Sequence, residues 1–128
     1  MTSPMERTKA ELKKDNILHG IVERFFPKSK KYPFGHKEDL FGILDLIALD
    51  NGVVGIQVCG TDLRTHKQKI MEEKKESTYR WLNDGQARFE VWAWRKLKKR
   101  KGGKAMVWKP RIIDILIVNN ELYWEERI

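Results

Sequence analysis

The sequence predicts an α/β fold in which helices flank a central mixed β-sheet. Three observations support this class: two stretches with helix-start signals, several short β-branched or aliphatic stretches, and tight-turn sequences between some of them. The chain has 128 residues, of which 41% are hydrophobic and 34% charged. This length and balance are typical of one soluble globular domain. We therefore expect a single domain over residues 1–128.

The first half of the chain predicts one helix and three strands. Ser3 is a typical N-cap, Pro4 suits the first helical position and Glu6 follows three residues after the cap, so a helix is expected from here to about Leu18. The polar segment Lys28–Asp39, with its proline and glycine, is predicted to be a mobile loop. The predicted strands are Gly20–Phe26, Leu40–Leu49 and Val53–Cys59.

The second half predicts a long helix and a further set of strands. Thr61 or Asp62 is expected to cap a helix that reaches about Leu82, because apolar residues recur there at helical spacing. The strand segments that follow are Arg88–Trp94, Ala105–Trp108, Ile112–Val118 and Glu121–Trp124. The expected order of the main elements is α-β-β-β-α-β-β-β.

Several classes of protein are excluded by composition. The chain has one cysteine, Cys59, which rules out a disulfide scaffold and suits a reducing compartment. No signal peptide is visible, and the longest apolar stretches, Leu40–Leu49 and Ile112–Val118, each contain an aspartate and are too short to span a membrane. We expect a cytoplasmic protein.

The most informative geometry lies in the predicted central hairpin. Asp50-Asn51-Gly52 is a three-residue connection with glycine last, which favours a tight turn that pairs Leu49 with Val53. Continuing that register places Asp45 opposite Gln57, on one face of the sheet. A carboxylate among apolar strand residues must be paired, hydrogen-bonded or bound to metal, because an unpaired buried charge is costly.

The residues around this hairpin resemble a known family. Phe41-Gly42-Ile43-Leu44-Asp45-Leu46-Ile47-Ala48, followed after a tight turn by Gly55-Ile56-Gln57-Val58-Cys59, is similar to the core of the restriction-endonuclease-like PD-(D/E)xK superfamily. The likeness is closest to small archaeal Holliday-junction resolvases and phage-encoded proteins, and it covers about residues 5–94. It implies a restriction-endonuclease-like core and a prokaryotic cell, or the host cell of a virus, as the location.

The resemblance also implies a metal site. Asp45 matches the metal-binding aspartate, Gln57 matches the Glu/Gln position, and Val58 would offer its backbone carbonyl as a further ligand. Glu23 is a candidate for the extra acidic residue that some members place near the metal, and Asp39 is a weaker one. The cofactor would be Mg²⁺, or Mn²⁺, which polarises the scissile phosphate and activates water.

The chain departs from the family at the motif lysine, where Cys59 stands. A thiol cannot stabilise a phosphorane as an ammonium does. Either Lys67 or His66 on the following helix supplies the charge from a shifted position, or catalysis is weak or lost. We take Asp45, Gln57 and Lys67 as the candidate catalytic residues.

Each of these residues also has a purely structural interpretation. Asp45 could be hydrogen-bonded to a neighbouring turn, Gln57 could be a buried and satisfied amide, and Glu23 could be a salt-bridged strand residue. Cys59 could be a small core residue. The spacing of the histidines does not suit a zinc site.

A basic block near the C-terminus points to nucleic acid. The final 34 residues carry ten lysines and arginines against four acidic residues, out of a net charge of +8 for the chain. Phosphate contacts explain such a block better than solubility does. The tryptophans beside it could pack in the core or stack on unpaired bases. The candidate nucleic-acid-binding residues are Arg64, Arg95, Lys96, Lys98, Lys99, Arg100, Lys101 and Lys104.

These features together favour a Mg²⁺-dependent DNA endonuclease, with branched or junction DNA as a candidate substrate. Two alternatives stay open: a catalytically degenerate DNA-binding protein with the same fold, and a basic RNA-binding module. We expect DNA as the partner and no membrane association, and the resemblance to resolvases allows a homodimer.

Overall fold

The computed structural model describes residues 2–128, which form three α-helices, a π-helical turn and eight strands. The helices are α1 Pro4–Lys14, α2 Leu63–Gln68 and α3 Lys75–Asn83, and the π-helical turn Lys69–Glu73 joins α2 to α3. The strands are β1 Leu18–Ile21, β2 Arg24–Phe26, β3 His36–Glu38, β4 Leu46–Leu49, β5 Val53–Cys59, β6 Arg88–Lys98, β7 Met106–Val118 and β8 Glu121–Glu126. No helix within residues 2–128 is both long and apolar enough to cross a membrane.

Six strands form one mixed sheet in the order β1-β4-β5-β6-β7-β8. The pair β5–β6 is parallel and the other neighbours are antiparallel. The helical segment from α2 to α3 makes the crossover that a parallel pair requires. The predicted α/β class with a mixed sheet is confirmed. The predicted element order is wrong, because five strands rather than three lie between α1 and α2.

Helices cover both faces of this sheet. Residues at alternate positions of β5 and β6 belong to different cores, since side chains along a strand point to opposite faces. On one face Leu12 of α1 packs with Ile56 and Trp94. On the other face Ile70 packs with Phe89 and residues of β7. The central strands are therefore buried on both sides.

Helix α1 begins as predicted and ends earlier. The Ser3 hydroxyl accepts a hydrogen bond from the Glu6 N–H at 3.1 Å, and Pro4 is the first helical residue. The helix stops at Lys14 instead of Leu18 because Asn16 adopts a positive φ of 57°, a conformation that terminates helices. Leu18 then starts β1, which pairs with β4.

The predicted strand Gly20–Phe26 is divided between two strands, and the predicted loop Lys28–Asp39 contains a short strand at its end. The chain leaves the main sheet after Ile21, and β2 pairs with β3 in a separate two-stranded sheet. Residues His36–Glu38 are thus strand and not loop. We call Arg24–Glu38, which comprises β2, β3 and the connection between them, the finger.

The predicted strand Leu40–Leu49 is shorter in the structure, where β4 covers only Leu46–Leu49. Phe41 and Gly42 have φ values of 56° and 75°, so the chain folds back on itself and the Leu40 N–H donates to the Leu44 carbonyl at 2.9 Å. Two consecutive left-handed residues cannot belong to a strand. Asp45 consequently lies at the exit of a turn, one residue before β4.

The hairpin register is confirmed where the strands pair. Leu49 pairs with Val53, and the register continues to Leu46 opposite Ile56. The bounds of β5 agree with the prediction. Gly52 has a φ of 123° and closes the turn, as a three-residue loop with a final glycine requires.

The long helix starts after Asp62 and reaches Asn83, close to the prediction, but it is interrupted. The Lys74 N–H donates to the Lys69 carbonyl, five residues back, at 2.7 Å, which defines the π-helical turn. The Ile70 carbonyl accepts instead from the Thr78 hydroxyl at 2.9 Å. The buried threonine therefore satisfies a backbone group that the π-turn leaves free.

The last three strands are longer than predicted. Ala105–Trp108 and Ile112–Val118 are parts of one strand, β7, which runs through Pro110 opposite Trp94. Strand β6 extends to Lys98, and β8 to Glu126. The tip of the β6–β7 hairpin, residues 99–105, holds the exposed basic block.

Candidate functional site

Three carboxylates meet where the finger joins the main sheet. Glu23 precedes β2, Asp39 follows β3 and Asp45 precedes β4, and one oxygen of each lies within 4.8 Å of the others. The fold-back at Phe41–Gly42 brings Asp39 and Asp45 to the same place, and the Val22 N–H donates to the Asp45 carbonyl at 2.9 Å. This carboxylate cluster is the centre of the candidate site.

Asp45 is the most buried member of the cluster, with 6% of its surface exposed. Its Oδ2 accepts a hydrogen bond from the Val58 N–H at 2.7 Å. Burial raises the pKa of Asp45 to about 8, and the hydrogen bond to Asp39 and the negative charges of Asp39 and Glu23 act in the same direction. The Val58 N–H opposes this rise only in part. Near neutral pH Asp45 therefore holds a proton.

Asp39 is the ionised partner of Asp45. Burial alone would raise the pKa of Asp39, but its hydrogen bonds with Asp45 and Lys69 lower that pKa below the ordinary value. The Lys69 Nζ lies 2.8 Å from the Asp39 Oδ2. The ammonium thus compensates one of the three carboxylates in the cluster.

The cluster opens into a cavity of about 320 Å³ beside the N-terminus of α1. Glu23, Asp45 and Lys37 of β3 line this cavity, and the Lys37 Nζ lies 4.0 Å from the Glu23 Oε1. The other lining residues are Ser3, Pro4, Met5, Val58, Cys59, Gly60, Asp62 and His66. Asp45, Val58 and Glu23, three of the four predicted metal ligands, are thus brought together.

Gln57, the fourth predicted ligand, is fully buried behind the cavity. Its Nε2 donates to the Ile43 carbonyl at 2.7 Å, and its Oε1 lies 2.7 Å from the His66 Nδ1. The Asp45 carboxyl group is not hydrogen-bonded to the Gln57 side chain opposite it. It accepts a hydrogen bond from the backbone N–H of the following residue, Val58. Gln57 can offer its Oε1 to a cation only when His66 releases it.

The structure places His66 and Lys67 very differently. His66 lines the cavity, and its Nε2 lies 3.1 Å from the Asp62 Oδ2. Both ring nitrogens of His66 thus face an acceptor oxygen, and the imidazolium form can donate to both. The Lys67 Nζ lies 5.4 Å from the centre of the Trp124 ring, away from the cavity lining. Of the two candidates for the missing motif lysine, only His66 borders the cavity.

Cys59 is two residues after Gln57 on β5, so both side chains point to the same face of the sheet. Cys59 also lines the cavity. Burial, together with the negative charges of Asp62 and Asp45, raises the pKa of the Cys59 thiol to about 12. Cys59, Asp62 and His66 have ligand atoms within 4.8 Å of one another. This trio offers one carboxylate, whereas the Glu23–Asp39–Asp45 cluster offers three, and hard divalent cations prefer oxygen ligands, so the carboxylate cluster is the better site for such a cation.

Two cations near the cluster, Lys37 and Lys69, are not among the residues that the sequence predicts for the site. Lys69 lies three residues after His66 and seven after Asp62, so helical spacing puts all three on one face. That periodicity is the available signal. Lys37 carries no such signal, because its position depends on the pairing of β3 with β2.

The predicted nucleic-acid-binding residues lie on exposed surfaces. Arg64 is exposed on α2, Arg95, Lys96 and Lys98 are exposed on β6, and the remaining members are at the hairpin tip. Trp92 and Trp94 are buried in the core. Trp108 is 38% exposed, with the Arg7 guanidinium 3.8 Å and the Lys96 ammonium 5.4 Å from its ring centre.

No family model, curated protein or solved structure matches this chain. The resemblance to the restriction-endonuclease-like superfamily therefore depends on the hairpin residues alone, and the function on the geometry of the site.

Proposed function

We propose that this protein is a Mg²⁺-dependent DNA endonuclease with a restriction-endonuclease-like core. The observation that carries the proposal is the cluster of Glu23, Asp39 and Asp45 at the edge of a cavity bordered by Lys37 and His66. A divalent cation next to compensating positive groups is the arrangement that phosphodiester hydrolysis requires.

The chemistry of the cluster suits a hard cation. Carboxylate and backbone carbonyl oxygens are the ligands that Mg²⁺ and Mn²⁺ prefer. The pKa of Asp45 is raised to about 8 by burial beside two other carboxyl groups, and a divalent cation would relieve that crowding. Asp45, Asp39 and Glu23 would hold the ion, with the Val58 carbonyl as a further ligand. When bound, the ion would polarise the scissile phosphate and lower the pKa of the attacking water.

The protein's own groups would orient and neutralise the substrate. The Val58 N–H fixes the direction of the Asp45 carboxyl group, and Lys69 holds Asp39. His66 and Lys37 both line the cavity and could contact phosphate oxygens. His66 would thus take over the charge that Cys59, a buried thiol, cannot provide.

The order of elements supports the proposed core. Asp45 directly precedes the antiparallel hairpin β4–β5, and Gln57 lies on β5. A helical segment follows, and β6 then joins β5 in parallel. The resemblance implies this sequence of hairpin and helix. The basic tip of the β6–β7 hairpin would contribute phosphate contacts that are independent of base sequence.

Two observations favour a second candidate, a DNA-binding protein of the same fold with little or no catalysis. Cys59 replaces the motif lysine, and the Gln57 amide is already engaged by Ile43 and His66. Such a protein would keep the basic surface and lose the cleavage.

Cleavage of supercoiled plasmid and of a four-way DNA junction, with Mg²⁺ or Mn²⁺ and with EDTA, separates the two candidates. We expect metal-dependent cleavage that Asp45→Asn abolishes while DNA affinity stays within a few fold. Asp15→Asn, a change at an exposed carboxylate at the far end of α1, is the matched control. Metal-independent cleavage, or full activity of Asp45→Asn, would refute the site. DNA binding with no cleavage in any metal would favour the second candidate.

A further inference from the structure

The finger combines cations with aromatic rings. It contains five lysines and arginines, four phenylalanine or tyrosine residues and one acidic residue, Glu38. The cations are Arg24, Lys28, Lys30, Lys31 and Lys37, and the aromatic residues are Phe25, Phe26, Tyr32 and Phe34. Cations interleaved with aromatic rings are the combination that binds unpaired nucleic acid strands.

Part of this aromatic set holds the finger together. The Tyr32 and His36 rings stack with centres 4.4 Å apart and planes 7° apart, and Phe26 lies about 6 Å from both. The Ser29 hydroxyl accepts from the Tyr32 N–H at 3.1 Å, and the Gly35 N–H donates to the Tyr32 carbonyl at 3.0 Å. The finger is therefore an ordered hairpin rather than an open loop.

The other two rings face solvent. Phe34 is 92% exposed and Phe25 is 65% exposed. Gly35 has a φ of 82°, and a Cβ built there would come within 3.1 Å of the Phe25 ring, so the absence of a side chain leaves room for that ring. Exposed rings of this size contribute nothing to the core, and two of them on one small hairpin form a surface for a partner.

The finger leads directly into the carboxylate cluster. At the open end of the hairpin, where Arg24 pairs with Glu38, Glu23 precedes one strand and Asp39 follows the other. Phe25 pairs with Lys37 across the two strands, and directly opposed residues share a face. Because Lys37 lines the cavity with Asp45, the Phe25 ring lies on the side of the finger that is turned towards the candidate metal site.

We propose that the finger binds unpaired nucleotides by stacking bases on Phe25 and Phe34, and so delivers a single strand to the carboxylate cluster. This inference rests on the proposed nuclease function, and it specifies the substrate as nucleic acid that has unpaired bases next to the scissile phosphate. The finger cations would contact the phosphates of that strand. A single strand offers bases to the rings and phosphates to the five cations, which outnumber the one acidic residue of the finger, Glu38, so nucleic acid is the occupant that the charge favours.

Binding measured in EDTA tests the proposal without any need for cleavage. The probes are a short fluorescein-labelled single-stranded DNA, read by anisotropy, and the blunt duplex of the same sequence. The test variant is Phe25→Ala with Phe34→Ala, and the matched control is Leu18→Ala, a 71% exposed apolar residue outside the finger. We expect affinity for the single strand to fall by about fivefold or more per ring, and affinity for the duplex to fall by less than twofold.

Further variants distinguish stacking from other contacts. Phe34→Trp should keep single-strand affinity and Phe34→Leu should lose it, because leucine preserves apolar area without a π-face. If the double variant fails to fold by circular dichroism, Phe34→Ala alone gives the same test. Equal reductions on both probes, wild-type affinity of the leucine variant, or no single-strand binding by the wild type would each overturn the proposal. Single-strand binding that depends on the rings, without any metal-dependent cleavage, would support the proposed role of the finger and refute the proposed nuclease function.

Discussion

Asp45→Asn is expected to stabilise the metal-free protein, although it removes a residue of the site. The folded-state pKa of Asp45 is raised from 3.8 to about 8, mainly by burial. The stability that this group contributes is thus fully present below pH 4 and is lost as the pH rises towards 8, because the folded state must retain a proton that the unfolded chain releases. Asparagine needs no proton and keeps an acceptor oxygen for the Val58 N–H.

The size of the effect follows from the pKa difference. At pH 7 the unfolded carboxyl group is about three pH units above its pKa, and each unit corresponds to about 1.4 kcal/mol. The full cost of protonating Asp45 on folding is therefore about 4 kcal/mol. The asparagine NH₂ can also donate to Asp39, so we expect a gain of about 2–4 kcal/mol in the free energy of unfolding at pH 7, and a gain near zero at pH 4.

Urea unfolding followed by tryptophan fluorescence, in EDTA between pH 4 and 8, measures this difference directly. Asp15→Asn should show no pH-dependent gain. Adding Mn²⁺ should stabilise the wild type, increasingly as the pH rises, and should leave Asp45→Asn nearly unchanged. If Asp45→Asn were less stable than the wild type at every pH, the Asp45 carboxylate would be an ionised structural group, and the proposal of a crowded cation site would fail.

Three further changes test other parts of the molecule. Cys59→Lys restores the family pattern next to the cavity. Metal-dependent cleavage of plasmid should therefore rise severalfold, while the melting temperature falls. A folded variant with unchanged cleavage activity would contradict this. Alanine at all four positions of Lys98–Lys101 should lower the slope of log K against log salt on duplex DNA by roughly 0.9 for each phosphate that the variant no longer binds, and an unchanged slope would show that the tip is only solvated. Arg127→Ala should lower the free energy of unfolding, measured in urea, by about 2–4 kcal/mol, because Glu90 is 5% exposed and would lose its partner at 2.7 Å. Adding Glu90→Gln should recover part of that loss. Equal stability of Arg127→Ala and the wild type would refute the pairing.

The parts of the fold that can be predicted are those that local chemistry determines. The Asp50-Asn51-Gly52 turn sets the β4–β5 register within a few residues, and Ser3 with Pro4 marks the start of α1. The helix after Asp62 is predicted by the spacing of its apolar residues, but that spacing does not indicate the π-helical turn inside it. These signals act over fewer than about ten residues, which is why a single sequence reveals them.

The finger cannot be predicted in the same way. Strands β2 and β3 have three residues each, and β3 is entirely polar or charged. Such strands exist because they pair with each other and because the Tyr32–His36 stack supports their connection. Neither interaction produces a hydrophobic alternation, which is the signal that locates strands in a sequence.

The composition of the site escapes sequence-based prediction for a related reason. Asp39 is the weaker candidate by sequence. It stands six residues before Asp45, and an extended chain of that length spans about 20 Å. The two left-handed residues, Phe41 and Gly42, remove that separation, and Lys69, 30 residues away in sequence, pairs with Asp39. The wrong start of the predicted strand Leu40–Leu49 and the low rank of Asp39 as a ligand therefore have one cause. A backbone reversal inside an apolar stretch both shortens the predicted strand and converts Asp45 from half of a cross-strand pair with Gln57 into a member of a carboxylate cluster.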